Sequence, residues 1–295
     1  MSSVPARQVP GVYHRRLGDI LVTGLADGYL GMSLDALRGI AVPEAEALLA
    51  REARTCPPRV SINVFALRWP GHTVLIDCGG GDLYGAAGGR LTDNLAHAGI
   101  APDDVTTVLL THIHPDHSSG LTERSTGNRL FPNAEVVVHA AELKHWFDDA
   151  EMARADERPR ERFFLEGRFQ ITPYMKDRLR SIDRETEVLP GVVALPSPGH
   201  TPGHSAYLIS SGGQSMIVWG DTVHIPEVQI AHPDVTIMFD VDQPLAAASR
   251  RRILERCVSD SLLIGGMHVH FPGFANLRRE QGRFELTAEQ WAFDV

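Results

Sequence analysis

The chain has 295 residues, 43% of them hydrophobic and 22% charged, enough apolar material for one large α/β domain or two small ones. With 28 Lys+Arg against 37 Asp+Glu the net charge is −9, so the sequence lacks the basic footprint of a nucleic-acid binder. No run approaches the roughly 20 apolar residues of a membrane span, and the 3 cysteines, Cys56, Cys78 and Cys257, lack paired spacing. The opening stretch MSSVPARQVPGVYHRR holds no apolar segment of signal-peptide length. Together these features predict a soluble, cytoplasmic protein that engages neither membrane nor nucleic acid.

Taken in chain order, Ile20 to Leu25 and Val60 to Trp69 are rich in β-branched and apolar residues and read as strands. His72 to Asp77 is a further strand, ended by Gly79-Gly80-Gly81, where the backbone turns freely. Leu91, Leu95 and Ala98 repeat at helical spacing, with Gly99 as the stop. Val105 to Leu110 reads as a buried strand, Glu135 to Val138 as another, and Ala140 to Phe147 as a short helix.

Residues 148–187 are dense in Arg, Glu and Asp but carry Phe163, Phe164, Phe169, Tyr174 and Met175. This stretch reads as an insertion, either a solvated surface segment or a helical flap whose aromatics wall a pocket. Strands return at Val192 to Leu195, Ala206 to Ser210 and Ser215 to Trp219, the last two joined at Gly212-Gly213. A helix is predicted from Gln243 to Val258, with Arg250, Arg251 and Arg252 on its solvated face, then a buried strand at Leu262 to Ile264. About one strand and a short tail are expected after His268. This irregular mixture of strands, hairpins and helices suits an α/β sandwich in a single domain.

The most informative segment is Thr111-His112-Ile113-His114-Pro115-Asp116-His117, directly after an apolar strand. Imidazoles and carboxylates are ligands for divalent metals, and burying several titratable groups without a partner is costly. Later segments repeat the arrangement at other strand ends: His200 and His204 in a Gly/Pro-shaped loop, Asp221 after Trp219-Gly220, and His268 after Gly265-Gly266-Met267. Asp77 has the same placement and is a candidate support for the ligands.

His112-x-His114-x-Asp116-His117, followed by His200, Asp221 and His268, resembles the signature of the metallo-β-lactamase fold superfamily. Gly18-Asp19-Ile20 through Asp27-Gly28, Phe131-Pro132-Asn133-Ala134 and His268-Val269-His270-Phe271-Pro272-Gly273 look most like the branch containing methyl parathion hydrolase, with N-acyl-homoserine lactonases as more distant relatives. The resemblance implies a four-layer αββα sandwich with the site at the strand-end edge between mixed sheets. It implies two divalent metals, with zinc the leading choice and manganese, iron and cobalt open. His112, His114 and His200 would hold the first metal, and Asp116, His117 and His268 the second. Asp221 would bridge them beside a bridging hydroxide that attacks a lactone, carboxylic ester or organophosphate ester. Five imidazoles and two carboxylates set only two negative charges against two dications, which favours a further bound anion. Many relatives are dimers, so a homodimer is implied.

Of the 14 histidines, His14, His72, His97, His145 and His232 read as surface residues and His139 as structural. His224, three residues after Asp221, stands where homoserine lactonases carry a substrate-contacting tyrosine, and joins Asp116 and Asp221 as a catalytic candidate. Trp146, Phe163, Phe164, His224, His270 and Phe271 are candidate pocket walls. Two other readings share parts of the motif. A mononuclear iron oxidoreductase of persulfide-dioxygenase type would leave the second metal position idle. A glyoxalase II-like thioesterase would carry a helical carboxy-terminal extension.

Overall fold

The computed structural model describes residues 8–295. Residues 1–7, the start of the stretch read above for a leader, lie outside the described residues. Two seven-stranded mixed sheets form its centre. The first follows chain order: Val12–Leu17, Ile20–Gly31, Arg59–Trp69, His72–Ile76, Thr107–Leu109, Glu135–His139 and Leu179–Ile182. Its first four strands pair antiparallel and the rest parallel. The second runs in reverse order from Arg283–Ala288 through Phe274–Glu280, Leu263–Gly265, Gln214–Val218, Ser205–Ser211 and Val192–Pro196 to Thr186–Leu189. Only the pairing of Gln214–Val218 with Leu263–Gly265 is parallel there.

Period-two alternation sorts the side chains into layers. In the strand Arg59–Trp69, Phe65 and Leu67 pack between the sheets, while Val64 and Ala66 face the opposite side. Val74 and Ile76 likewise point inward and Leu75 outward. Across the interface, Tyr207, Ile209, Met216 and Val218 meet Phe65, Leu109 and Val137. The outer face of the first sheet is covered by Leu91, Leu95 and Ala98, and by Trp146, Phe164 and Ile171. The outer face of the second is covered by Ile253, Leu254 and Cys257 of the helix Gln243–Ser259. The result is a helix–sheet–sheet–helix sandwich, the four-layer arrangement that the sequence resemblance implies. Among the described residues, no helix is long and apolar enough to cross a membrane.

Several elements differ from the sequence expectations for identifiable reasons. Val12–Leu17 is an edge strand whose polar run YHRR hides its pairing with Ile20–Gly31. The latter continues past Leu25 through a bulge between Ala26 and Gly28. That bulge turns Asp27 inward to accept from the backbone of Gly80 (2.8 Å) and Leu91 (2.9 Å). The end of the stretch 148–187, read as an insertion, instead joins the sheets, because Leu179–Ile182 and Thr186–Leu189 are their edge strands. Two strands rather than one follow His268, and the Gln281-Gly282 turn between them has positive φ at both residues. Of the expected surface histidines, His97 is exposed, and His14, His72, His145 and His232 are half-buried.

Arg250 also departs from expectation, being only 1% exposed. Its guanidinium donates to the carbonyls of Thr222 (2.6 Å), Pro233 (2.8 Å) and Val235 (2.8 Å). Burial lowers its pKa to about 10. The side chain therefore ties the long helix to the loop that leaves Asp221. Arg250→Met removes the donors from three carbonyls and should cost about 2–4 kcal/mol, partly offset by relief of the buried charge. Urea unfolding checks this; a loss below about 0.5 kcal/mol, typical of a solvated surface position, would contradict it.

Candidate metal centre

The ligand-type side chains all sit just past the carboxyl ends of strands, the usual edge for sites in α/β folds. Thr107–Leu109 leads through Leu110 and Thr111 into His112 and His114, and a short helix, Pro115–Ser118, presents Asp116 and His117. Val192–Pro196 precedes His200, Gln214–Val218 precedes Asp221, and Leu263–Gly265 precedes His268.

Their ligand atoms gather into two buried groups, His112, His114, His200 and Asp221, and Asp116, His117, Asp221 and His268. Within each group these atoms lie within 4.8 Å of one another. Asp221 belongs to both, and its two oxygens divide between them. Oδ2 lies 3.3 Å from His200 Nε2 and 3.7 Å from His112 Nε2. Oδ1 lies 2.9 Å from His117 Nε2 and 3.2 Å from His268 Nε2. Asp116 Oδ2 completes the second group at 3.4 Å from His117 Nε2 and 3.5 Å from His268 Nε2.

These short distances are largely not hydrogen bonds. His112 Nε2, His117 Nε2 and Asp221 Oδ1 are buried without a hydrogen-bond partner. Lone pairs facing one another in this way are costly unless a cation sits among them. The residues therefore fit two divalent ions, one per group, with no thiolate at any position to demand a soft metal.

The electrostatics point the same way. Burial, reinforced by neighbouring imidazoles, holds His112 and His114 well below the ordinary histidine pKa. Burial also opposes charge on His117, but Asp221, Asp116 and Asp77 outweigh it and raise that pKa well above the usual value. Asp221 and Asp240 likewise overcome burial and push His200 up to about 9. Asp221 and Asp116 raise His268 against the same opposition. The cluster is a place where positive charge is strongly stabilised.

A metallo-beta-lactamase superfamily model matches residues 57–257. The chain belongs to that superfamily. It is 25% identical over 175 residues to an N-acyl homoserine lactonase of Bacillus cereus, covering 59% of this chain and 60% of the relative. It is 26% identical over 166 residues to one from Bacillus thuringiensis, covering 56% of each. The match thus spans under two thirds of the length of these curated relatives. Among solved structures, the superfamily hydrolase AbOPH superimposes with a TM-score of 0.91 at 28% identity, covering 97% of this chain and 100% of that one. AidC, a dizinc quorum-quenching lactonase, has a TM-score of 0.88 at 24% identity, with 96% and 99% coverage.

The metallo-beta-lactamase loops are oriented by a further layer of buried groups. Asp77 Oδ2 contacts His117 Nδ1 at 2.6 Å, and the same carboxylate accepts from the Thr111 backbone (2.7 Å) and hydroxyl (2.8 Å). Asp240 Oδ1 contacts His200 Nδ1 at 2.8 Å, and the Ser61 carbonyl contacts His268 Nδ1 at 2.8 Å. Each contact fixes one ring nitrogen and leaves Nε2 facing the cluster. His204 is not in either group. Its Nδ1 lies 3.0 Å from the Ser197 carbonyl, and its Nε2 accepts from the Asp221 backbone at 2.9 Å. Burial, with His200 nearby, lowers its pKa to about 3, consistent with a neutral acceptor. A Cβ at Gly220 would come 2.5 Å from His204 Nε2, so the approach needs a glycine. His139 caps the following helix by accepting from Ala141.

Glu142 and Asp240 carry no motif and were not legible in the sequence. Fully buried Glu142 accepts from the backbones of Ile113 (2.9 Å) and Gly203 (2.7 Å) and from the Trp146 indole (2.8 Å). It clamps two ligand loops together. Only the i, i+4 spacing of Glu142 and Trp146 on one helix hinted at it.

A cavity of about 70 Å³ opens onto the cluster. His114, Asp116, His200, Asp221, His224 and His268 supply its polar floor, Leu30, Met32, Phe163 and Phe239 an apolar side, and Tyr84 and Arg162 a second polar side. Among the expected walls, Phe163 and His224 are therefore present. Trp146 stands behind His114, ring centroids 5.4 Å apart, and Phe164 packs on Trp146 within the core. His270 is turned away by Glu227 (2.7 Å), and Phe271 is 38% exposed away from the lining. These four do not line the cavity: the indole is held by Glu142, and His270 lines a separate cleft with Glu227.

Asp77→Ala should weaken metal affinity by roughly 10- to 100-fold, since His117 loses the partner that orients it. Competition with a chelator of known affinity reads this directly. Wild-type affinity in the variant would show that His117 is positioned without Asp77.

Proposed function

We propose that this chain is a binuclear metal-dependent hydrolase of ester bonds, with lactones as the leading substrate class. The observation that carries the reading is the division of the Asp221 carboxylate between two His/Asp groups. His112, His114 and His200 would hold one ion and Asp116, His117 and His268 the other, with zinc as the expected metal. Two such ions, when bound, acidify water and polarise the carbonyl oxygen of an ester.

The protein's own residues divide the remaining work. Asp221 fixes the spacing of the two groups. Asp77 and Asp240 stand behind the His117 and His200 rings, so that four carboxylates touch the imidazoles of the two groups, against the two within the groups themselves. Leu30, Met32, Phe163 and Phe239 exclude water from one side of the cavity and suit an uncharged, partly apolar substrate. His224 is buried at the floor, with neither ring nitrogen hydrogen-bonded, although Nε2 lies 3.1 Å from Asp221 Oδ2. Burial keeps its pKa below the ordinary value, so a neutral ring can donate to or accept from a substrate oxygen. N-acyl homoserine lactonases among the relatives support a lactone over a phosphotriester.

Metal analysis of the purified protein, paired with a panel of lactones, aryl esters, thioesters and phosphotriesters, tests the reading. About two divalent ions per chain with lactone turnover supports it. One iron with oxygen consumption favours the dioxygenase alternative, and thioester preference favours the glyoxalase-like one. Asp221→Ala should reduce metal content to one equivalent or less and lower kcat/KM by about 1,000-fold or more, the scale expected when metal-assisted electrostatic stabilisation is lost. Full metal loading of that variant would refute the bridging assignment. His224→Phe should keep both metals and shift the ratio of kcat/KM between lactone and aryl ester; loss of a metal equivalent would make His224 a ligand instead.

A further inference from the structure

The residues from Arg160 to Leu165 form a π-helical turn, a rare geometry that recurs at functional sites. The turn brings two consecutive side chains, Arg162 and Phe163, to the same cavity, while Phe164 enters the core. Phe163 packs on the His114 ring with centroids 4.7 Å apart. Arg162 has a different environment. Its Nη2 donates to the Tyr84 hydroxyl at 3.0 Å, and its guanidinium carbon lies 5.2 Å from the centre of the Tyr84 ring.

Tyr84 is itself held in place. A Cβ at Gly80 would fall 2.3 Å from its ring, so the aromatic ring rests directly on the glycine turn that Asp27 fixes. No carboxylate lies within ion-pair distance of Arg162 among the described residues, and the Tyr84 contact is its only side-chain hydrogen bond there. A half-buried guanidinium therefore presents unused donors beside the cluster, on a prop that limits its rotamers. Tyr84 Oη accepts from Arg162, so its own O–H also remains free to donate.

A purely apolar ester gives these donors nothing to bind, and closing the cavity over it would strand them. We propose that Arg162, propped by Tyr84, is a specificity-determining residue that binds a second acceptor oxygen of the substrate, separate from the ester being cleaved. The favoured substrates are thus lactones or esters bearing an amide carbonyl or a carboxylate next to the reacting ring. This rests on the ester-hydrolase reading above and narrows it.

The test uses metal-loaded wild type, Arg162→Met and Tyr84→Phe with three γ-lactones of matched size, bearing an α-acylamino, an α-carboxyalkyl or an α-alkyl substituent. Binding of the α-acylamino γ-lactam, whose ring amide replaces the ester, is measured by calorimetry as a turnover-independent reading. For Arg162→Met, KM for the better acceptor-bearing lactone should rise about tenfold relative to that for the alkyl lactone, the size of one charge-assisted hydrogen bond. The acylamino and carboxyalkyl arms distinguish a neutral carbonyl from an anion. If the acylamino arm is affected, lactam affinity should fall by a similar factor. Tyr84→Phe keeps the ring, removes the anchoring hydroxyl and should give about a threefold change in the same direction. Equal shifts for all three lactones in both variants would overturn the assignment while leaving the hydrolase reading intact. Failure of wild type to hydrolyse any lactone or bind the lactam would overturn both this assignment and the lactone preference.

Discussion

Two carboxylates, Asp116 and Asp221, sit buried among five imidazoles with lone pairs directed at one another, and the surrounding fold is arranged to sustain that conflict. In water such a cluster would disperse. Here the strand ends fix its members, and Asp77, Asp240, Ser61 and Thr111 occupy the rear nitrogens of His117, His200, His268 and His112. Positive charge relieves the arrangement, as the raised pKa values of His117, His200 and His268 indicate, and divalent cations would supply it with better directionality.

The supporting groups also explain why the two sheets must meet where they do. Asp77 leaves the first sheet at the end of His72–Ile76 and orients His117, which follows the neighbouring strand Thr107–Leu109. His204 leaves the second sheet and holds the backbone of Asp221. Glu142, from a helix over the first sheet, bonds to loops from both sheets. Arg250 binds the segment after Asp221 to the helix over the second. A shift of one layer against the other would therefore break these hydrogen bonds.

Much of this was legible in the sequence. The apolar strands from Val60 to Ile76 and from Val105 to Leu110 announce themselves because both faces are buried, and ligand residues after strand ends are conspicuous. Less visible features depended on tertiary context. Val12–Leu17, Leu179–Ile182 and Thr186–Leu189 are edge strands with mixed polarity, and Arg250 looks solvated until three carbonyls close around it. Asp240 and Glu142 act through partners 40 and 29 residues away, respectively, a distance no local pattern encodes. The pocket walls were hardest to read: Phe163 and Phe164 divide between cavity and core at a π-turn that sequence periodicity does not reveal.

The central claim is that two ions flank the carboxylate of Asp221. Anomalous diffraction from crystals of the zinc-loaded protein, collected on both sides of the zinc absorption edge, tests it most directly. The account predicts two peaks, one within the His112, His114 and His200 group and one within the Asp116, His117 and His268 group. A single peak, or peaks not shared by Asp221, would contradict it.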